Sequence, residues 1–211
     1  MVAGGQPGDE PWFGGGQIHA GDTDLGESKF PGPAAQLLKQ LRAVDRSMVL
    51  LTHLPILETR IFTWPDEAAC AAFAQRLAAS PSLLPDSFIA LEGPLGAGKT
   101  TFVRHLLRAL GIEGRIKSPT YAVLEPYVIN GLAISHFDFY RLSDPREWID
   151  AGFRDVFAAP GLKLAEWPGN AKAVLPEADW QMELEPLEGN QRRVTVHAHT
   201  DHGRRLLAGV A

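Results

Sequence analysis

The stretch SFIALEGPLGAGKTT, residues 87–101, decides the fold of this chain. It begins with an apolar run, residues 88–91, which predicts a buried strand. Residues 93–100 then match the pattern G-x-x-x-x-G-K-S/T of a phosphate-binding loop, or P-loop. The glycines of such a loop let backbone N–H groups face one concavity, and the helix that follows adds the positive end of its dipole. The stretch therefore predicts a strand, a loop and a helix that together bind the phosphates of a nucleotide.

Two side chains of this loop have roles that follow from the motif. Lys99 supplies a positive charge for the outer phosphates, and the Thr100 hydroxyl is suited to ligate Mg²⁺. The apolar spacing over residues 101–110 predicts a helix, which Gly111 ends. A glycine-rich turn that binds nothing is the alternative, but the strand before it and the helix after it favour a nucleotide site.

Composition restricts the class of protein. The length of 211 residues fits one domain, or one domain with a tail. The net charge of −5 does not suggest a protein that binds the nucleic-acid backbone, although a local basic patch stays open. The single cysteine, Cys70, cannot form an internal disulfide, which favours a cytoplasmic protein. Its alanine-rich surroundings favour a small buried residue over a catalytic thiol. No apolar run approaches the length of about 18 residues that would predict a membrane span.

The chain divides into two parts. Residues 1–58 form an N-terminal extension, rich in Gly and Pro up to residue 33, and predicted to be largely disordered. Two other interpretations stay open for this extension: a docking motif around Trp12, Phe13 and Phe30, and a short helix over residues 34–47. Met48 is an alternative start, so the presence of residues 1–47 in the cell stays open as well. Residues 59–211 form the P-loop domain.

The pattern of elements in the second part predicts its architecture. A strand at residues 60–64 precedes a helix opened by Pro65, Asp66 and Glu67 that runs to residue 79, and the P-loop strand follows. Asn130-Gly131 predicts a hairpin, Asp144 caps a helix that Gly152 ends, and further strands are predicted at residues 121–128, 132–138, 161–166, 180–186 and 192–199. We expect an α/β three-layer P-loop NTPase fold with a mixed central sheet and antiparallel C-terminal strands.

Two carboxylates and one turn are candidates for the chemistry. Asp138 and Glu166 each end an apolar strand, where a P-loop ATPase places an acid facing the Mg²⁺ held by its P-loop hydroxyl. A strand-end cap for Asp138 and a solvated glutamate for Glu166 are the alternatives. The turn Ser118-Pro119-Thr120 lies where P-loop proteins often have a switch, and an ordinary turn is equally open.

The histidines of the chain carry less information. His136 is interpreted as a packed or surface strand residue in preference to a catalytic base. His197, His199 and His202 are interpreted as incidental, because a zinc site normally has three or four ligands and no further ligand pattern accompanies them.

Four motifs in a fixed order carry a family resemblance: LEGPLGAGKTTFVRHLLRALG from residue 91, KSPTYAVLEPY from 117, HFDFYRL from 136 and AEWP from 165. From about residue 60 to the end, the chain resembles the TsaE (YjeE) family of bacterial ATPases. The resemblance implies ATP hydrolysis in the synthesis of threonylcarbamoyladenosine, the modified adenosine beside the anticodon of tRNAs that read codons beginning with A. It also implies that the protein supports turnover of the TsaD–TsaB complex and meets tRNA only through that complex.

The resemblance assigns roles residue by residue. Thr101 would lie near the α-phosphate, Thr120 would be the switch threonine, Trp167 an aromatic near the nucleotide, and Glu67 part of the adenine-contacting edge. The phosphates would be held by Leu95, Gly96, Ala97, Gly98, Lys99 and Thr100. Lys99, Asp138 and Glu166 would be catalytic, and Thr100 with Glu166 and the Walker B acid Asp138 would serve Mg²⁺. Which acid holds the metal and which orients water stays open. Ala122 and Phe139 stand where Thr and Leu are common.

The sequence offers no candidate arginine finger, which predicts weak hydrolysis alone and faster hydrolysis in the complex. A small-molecule kinase is the main alternative, but its lid arginines would have to be the scattered Arg141, Arg146 and Arg154. A GTPase is disfavoured by the lack of an N-K-x-D motif. A nucleotide-gated scaffold that does not need hydrolysis stays open.

Overall fold

The computed structural model describes residues 55–83 and 86–210. Within them, one sheet has the strand order β1-β7-β6-β2-β5-β4-β3. Its strands are β1 (Glu58–Trp64), β2 (Asp86–Glu92), β3 (Leu124–Ile129), β4 (Leu132–Asp138), β5 (Gly161–Glu166), β6 (Trp180–Pro186) and β7 (Arg192–Ala198). β2 is parallel to β5 and β6, and β4 is parallel to β5. The other neighbours pair antiparallel, so the expected mixed sheet with an antiparallel C-terminal pair is confirmed.

Helices cover both faces of this sheet. They are α1 (Glu67–Ala78), α2 (Lys99–Ala109), α3 (Pro145–Asp150), α4 (Phe153–Ala158) and α5 (Asp201–Gly209), with a 3₁₀ turn at Pro168–Ala171. Ile89 and Leu91 of β2 pack with α1, α2 and α5, whereas Phe88 and Ala90 pack with α3 and α4. Because alternate residues of one strand enter opposite cores, the three-layer α/β fold is confirmed.

The other expected strand bounds hold to within two residues, but the strand expected at residues 121–128 is β3, which begins only at Leu124 because residues 120–122 form a turn. Further differences lie at helix ends. α1 begins one residue after Asp66, whose side chain caps it by accepting the Ala69 N–H at 2.8 Å, so Pro65 lies outside the helix. Gly152, with φ of 71°, separates α3 from α4, a helix that the sequence pattern did not predict. α5 was also missed, because Thr200 caps it two residues after β7 without a turn signal between them.

The expectations for the docking motif, the helix at 34–47 and the start of the chain lie outside the described residues. Among the helices that are described, none has both the length and the apolar character needed to cross a membrane.

Candidate functional site

The P-loop lies at the carboxyl end of β2 and is seated directly against β6. Gly93 has φ of 136°, and a Cβ at this position would lie 2.4 Å from the carbonyl oxygen of Leu184. Gly98, with φ of 108°, is the last residue before α2. Both positions require glycine, because an L side chain would be strained at either and would collide with backbone at the first.

Lys99 is buried at the start of α2, and its ammonium group is held from two sides. Its Nζ donates to the carbonyl oxygens of Gly93 at 2.7 Å and Pro94 at 3.0 Å, and lies 3.9 Å from the ring centroid of Trp167. Burial lowers the pKa of Lys99 below its ordinary value, while the negative charges of nearby carboxylates, Glu166 first among them, oppose that effect. The Lys99 ammonium group is thus held against the P-loop backbone, near the carboxylates of Glu166 and Asp138.

Glu166, at the end of β5, contacts the P-loop helix. Thr100 Oγ1 lies 2.9 Å from each carboxylate oxygen of Glu166, and His136 Nε2 lies 2.9 Å from Oε1. Glu166 is buried, which overturns the alternative of a solvated glutamate. His136 is a packed strand residue, as expected, but its bond to Glu166 was missed. The motif HFD could have indicated this bond, since His136 and Asp138 are two residues apart on one strand and therefore lie on the same face of the sheet.

Asp138 pairs with Glu166 in the β4–β5 register but contacts a different segment. Its Oδ2 accepts hydrogen bonds from Ser118 Oγ and, at 2.6 Å, from Thr120 Oγ1, while its Oδ1 accepts the Tyr140 N–H at 2.9 Å. The carboxylate therefore ties the Ser118-Pro119-Thr120 turn to the sheet, and Ser118 is a contact that sequence reasoning missed.

Trp167 follows Glu166 in a backbone conformation that is uncommon for its residue type. Its φ is 58°, its N–H donates to the Leu91 carbonyl oxygen at 3.1 Å, and its ring centroid lies 5.0 Å from that of Tyr140. Positive φ at a bulky residue is strained and persists where the surroundings impose it. In this conformation the Trp167 indole lies against the Lys99 ammonium group.

A cavity of about 260 Å³ adjoins the other side of the P-loop. Glu67, Cys70, Thr101 and Arg192 contribute to its walls. Arg192 was missed by sequence reasoning, and its Nε donates to the Ala97 carbonyl oxygen of the loop at 2.9 Å. Cys70 is buried as expected, and burial, with the negative charge of Glu67 adding to it, raises the pKa of its thiol to about 12.

The structure thus separates the predicted site residues into two groups. Lys99, Thr100, Thr120 and Trp167 gather with Asp138 and Glu166, whereas Glu67, Gly96, Ala97, Gly98 and Thr101 line the neighbouring cavity. Leu95, at the tip of the loop, is 77% exposed.

The histidines and arginines that were considered from the sequence make contacts outside these two groups. His197 bonds Thr59 and His202 bonds Ser87. Of the arginines considered for a kinase lid, Arg141 lies over the Tyr121 ring and Arg146 pairs with Asp144 on the surface.

The atoms of the first group that could ligate a metal are all oxygens: the Thr100 hydroxyl and the carboxylates of Asp138 and Glu166. Across residues 55–83 and 86–210, no three or more His, Cys, Asp or Glu side chains form a group that could hold a metal alone. Mg²⁺ prefers oxygen, and in nucleotide sites it takes only one or two protein carboxylates and completes its shell with phosphates and water. The residues present therefore fit Mg²⁺ bound together with a nucleotide.

Comparisons with known proteins identify the family of this chain. The family model for the threonylcarbamoyl adenosine biosynthesis protein TsaE matches residues 64–194. A Haemophilus influenzae protein named tRNA threonylcarbamoyladenosine biosynthesis protein TsaE is 37% identical over 147 residues, which cover 68% of this chain and 92% of that protein. A Bacillus subtilis protein of the same name is 34% identical over 114 residues, 54% of this chain and 71% of that protein. The crystal structure of Bacillus subtilis YdiB shares the fold with a TM-score of 0.61 at 24% identity, covering 72% of this chain and 94% of that one. The chain therefore belongs to the TsaE family.

Proposed function

We propose that this protein is a Mg²⁺-dependent ATPase that supports the threonylcarbamoyladenosine modification of tRNA by allowing repeated turnover of the TsaD–TsaB complex. The observation that carries the proposal is the meeting of Lys99 and Thr100 with two strand-end carboxylates, Asp138 and Glu166, on adjacent parallel strands. Ligands of open α/β sheets bind at this carboxyl end. The names of the Haemophilus influenzae and Bacillus subtilis relatives support the link to tRNA modification.

The residues divide the work of phosphoryl transfer to water. The P-loop N–H groups and Lys99 stabilise the negative charge that develops on the phosphates. Thr100, with Glu166 and Asp138, would hold Mg²⁺, which would neutralise further negative charge on the phosphates. Glu166 accepts a hydrogen bond from the Thr100 hydroxyl, and we assign to it the role of helping to hold the metal. Asp138 accepts a hydrogen bond from Thr120, and because it contacts this turn and not Thr100, we assign to it the orientation of the attacking water.

The cavity on the other side of the P-loop is the proposed site of the adenine base. Its volume of about 260 Å³ is of the order of a small-ligand pocket, and Glu67 and Thr101 line it beside the loop glycines. Glu67 also accepts a hydrogen bond from His105 Nε2 at 2.9 Å, which fixes one side of this pocket.

Hydrolysis by the protein alone is expected to be weak. In the described part of the chain, neither Asp138 nor Glu166 pairs with an arginine, and Arg192 lies on the base side of the loop. An arginine that stabilises transition-state charge raises phosphoryl-transfer rates by about 10³–10⁵-fold. We therefore propose that groups supplied or ordered by the TsaD–TsaB complex complete the site.

The fate of the γ-phosphate tests this function. ATP labelled on that phosphate is incubated with Mg²⁺ and the protein, alone and with TsaD–TsaB, beside the Lys99→Ala variant. We expect slow release of inorganic phosphate by the protein alone, faster release with the partners, and little release by the variant. Transfer of the label to a small molecule would establish the kinase alternative, and equal rates with and without the partners would refute the partner dependence.

A further inference from the structure

His136 is a buried histidine whose only hydrogen-bond partner in the described residues is a proposed metal-side acid. Its side chain is 0% exposed, and its Nε2 lies 2.9 Å from Glu166 Oε1. Its Nδ1 is also buried, without a partner among the described residues. An ionised carboxylate only accepts hydrogen bonds, so Nε2 carries the hydrogen of this pair.

The bond from His136 continues through Glu166 to the P-loop. Thr100 Oγ1 lies 2.9 Å from both oxygens of the same carboxylate. A hydroxyl has one hydrogen and two lone pairs, so directing the hydrogen to Glu166 leaves the lone pairs of Thr100 available to a cation. The orientation of the Glu166 carboxylate thus decides the orientation of the Thr100 hydroxyl.

The pairing of β4 with β5 determines the position of the His136 ring relative to Glu166. Asp138 is level with Glu166 in the parallel β4–β5 register, and His136 lies two residues earlier on the same face of β4. The terminal torsion of a glutamate side chain has no sharp preference of its own. A rigid ring on the neighbouring strand therefore supplies the constraint that the glutamate lacks.

From these contacts we infer that His136 is a positioning residue, which orients Glu166 and through it the Thr100 hydroxyl for Mg²⁺ that binds with the nucleotide. This inference rests on the proposed function, since it concerns the same site. His136 contacts neither the nucleotide nor the reacting atoms in this role. It acts as groups behind metal ligands do, whose loss typically weakens metal affinity about 10–100-fold.

Calorimetric titration of the full chain with ADP, in EDTA and in excess Mg²⁺, tests the inference. The ratio of the two dissociation constants measures the contribution of the metal to binding. We expect His136→Leu to reduce this ratio by about 10-fold or more while leaving the dissociation constant in EDTA near that of the unchanged protein. His136→Gln places an amide N–H near the position of Nε2, and we expect it to restore most of the ratio.

Two results would overturn the inference: a ratio in His136→Leu equal to that of the unchanged protein, or a His136→Gln variant as impaired as the leucine variant. His136→Phe keeps the ring volume without a donor and provides the same comparison if the leucine variant does not fold. Failure of the proposed function gives a different result, because the unchanged protein would then bind ADP no more tightly with Mg²⁺ than without it.

Discussion

The tie between Asp138 and the Ser118-Pro119-Thr120 turn leads to a quantitative prediction. Asp138 is 2% exposed, and its Oδ2 accepts hydrogen bonds from both Ser118 and Thr120. Asp138→Asn keeps the shape and the bond from the Tyr140 N–H, and turns an amide NH₂ toward the two hydroxyls. The two hydroxyls then accept from the amide; one of their hydrogens can go to the other hydroxyl and the second to solvent, since Ser118 and Thr120 are half-buried. The substitution therefore mainly removes the charge.

The size of the effect follows from this exchange. Hydrogen bonds to a charged group contribute about 1.5–3 kcal/mol and neutral ones about 0.5–1.5 kcal/mol. Replacing two such bonds is expected to lower the free energy of unfolding by about 2 kcal/mol. A double-mutant cycle of Asp138→Asn with Thr120→Val is expected to give a coupling energy of about 1 kcal/mol, since the second change removes one of the two hydroxyls.

Urea denaturation without nucleotide, followed by circular dichroism, measures these values. Thr195→Val is a matched control, because β7 lies four strand positions from β4, roughly 19 Å away, and its coupling with Asp138 should be about zero. Additive effects of Asp138→Asn and Thr120→Val, within about 0.3 kcal/mol, would refute the tie between this carboxylate and the turn.

Cys70, Trp167 and Gly93 each make a contact that a single substitution tests. Burial on folding raises the pKa of the Cys70 thiol from 9.0 to about 12. The unfolded chain therefore loses this proton first as pH rises. The stability that the protonated thiol contributes is lost between pH 9.0 and about pH 12. The slope is at most about 1.4 kcal/mol per pH unit, and urea titrations of Cys70→Ala should lack this part of the alkaline loss. Trp167→Leu should weaken ATP binding about 3–30-fold by removing the aromatic face under Lys99, whereas Trp167→Phe, measured by the same calorimetry, should nearly retain it. Gly93→Ala should destabilise the fold by at least about 2 kcal/mol more than Gly131→Ala, since both have positive φ but only the first would collide with backbone; equal unfolding free energies would contradict this.

The local parts of the fold followed from the sequence. The bounds of β4, β5 and β6 match the prediction to the residue, because each is an apolar or alternating run closed by turn residues. The hairpin at Asn130 and Gly131 was also correct, since both have positive φ and join antiparallel strands.

The missed features are a short helix and contacts between segments that are distant in sequence. α4 is only six residues long, too short for a periodic pattern to identify. His136 is 30 residues from Glu166, and Arg192 is 95 residues from the carbonyl that it binds, so both contacts exist only once the sheet order is set. The two acids were foreseen as a pair, but their different partners, Thr100 for one and Thr120 for the other, required the register of β4 on β5.

The central claim is that ATP hydrolysis at Lys99 and its neighbouring acids resets a larger tRNA-modifying assembly. Its most direct test is reconstitution of the full chain with TsaD, TsaB, threonylcarbamoyl-adenylate and tRNA, scoring modified adenosine per complex over time. We predict that modification continues over many rounds with ATP, and stops after the first round with a non-hydrolysable ATP analogue or with the Lys99→Ala variant. Continued modification at the same rate under either of these conditions would contradict the claim.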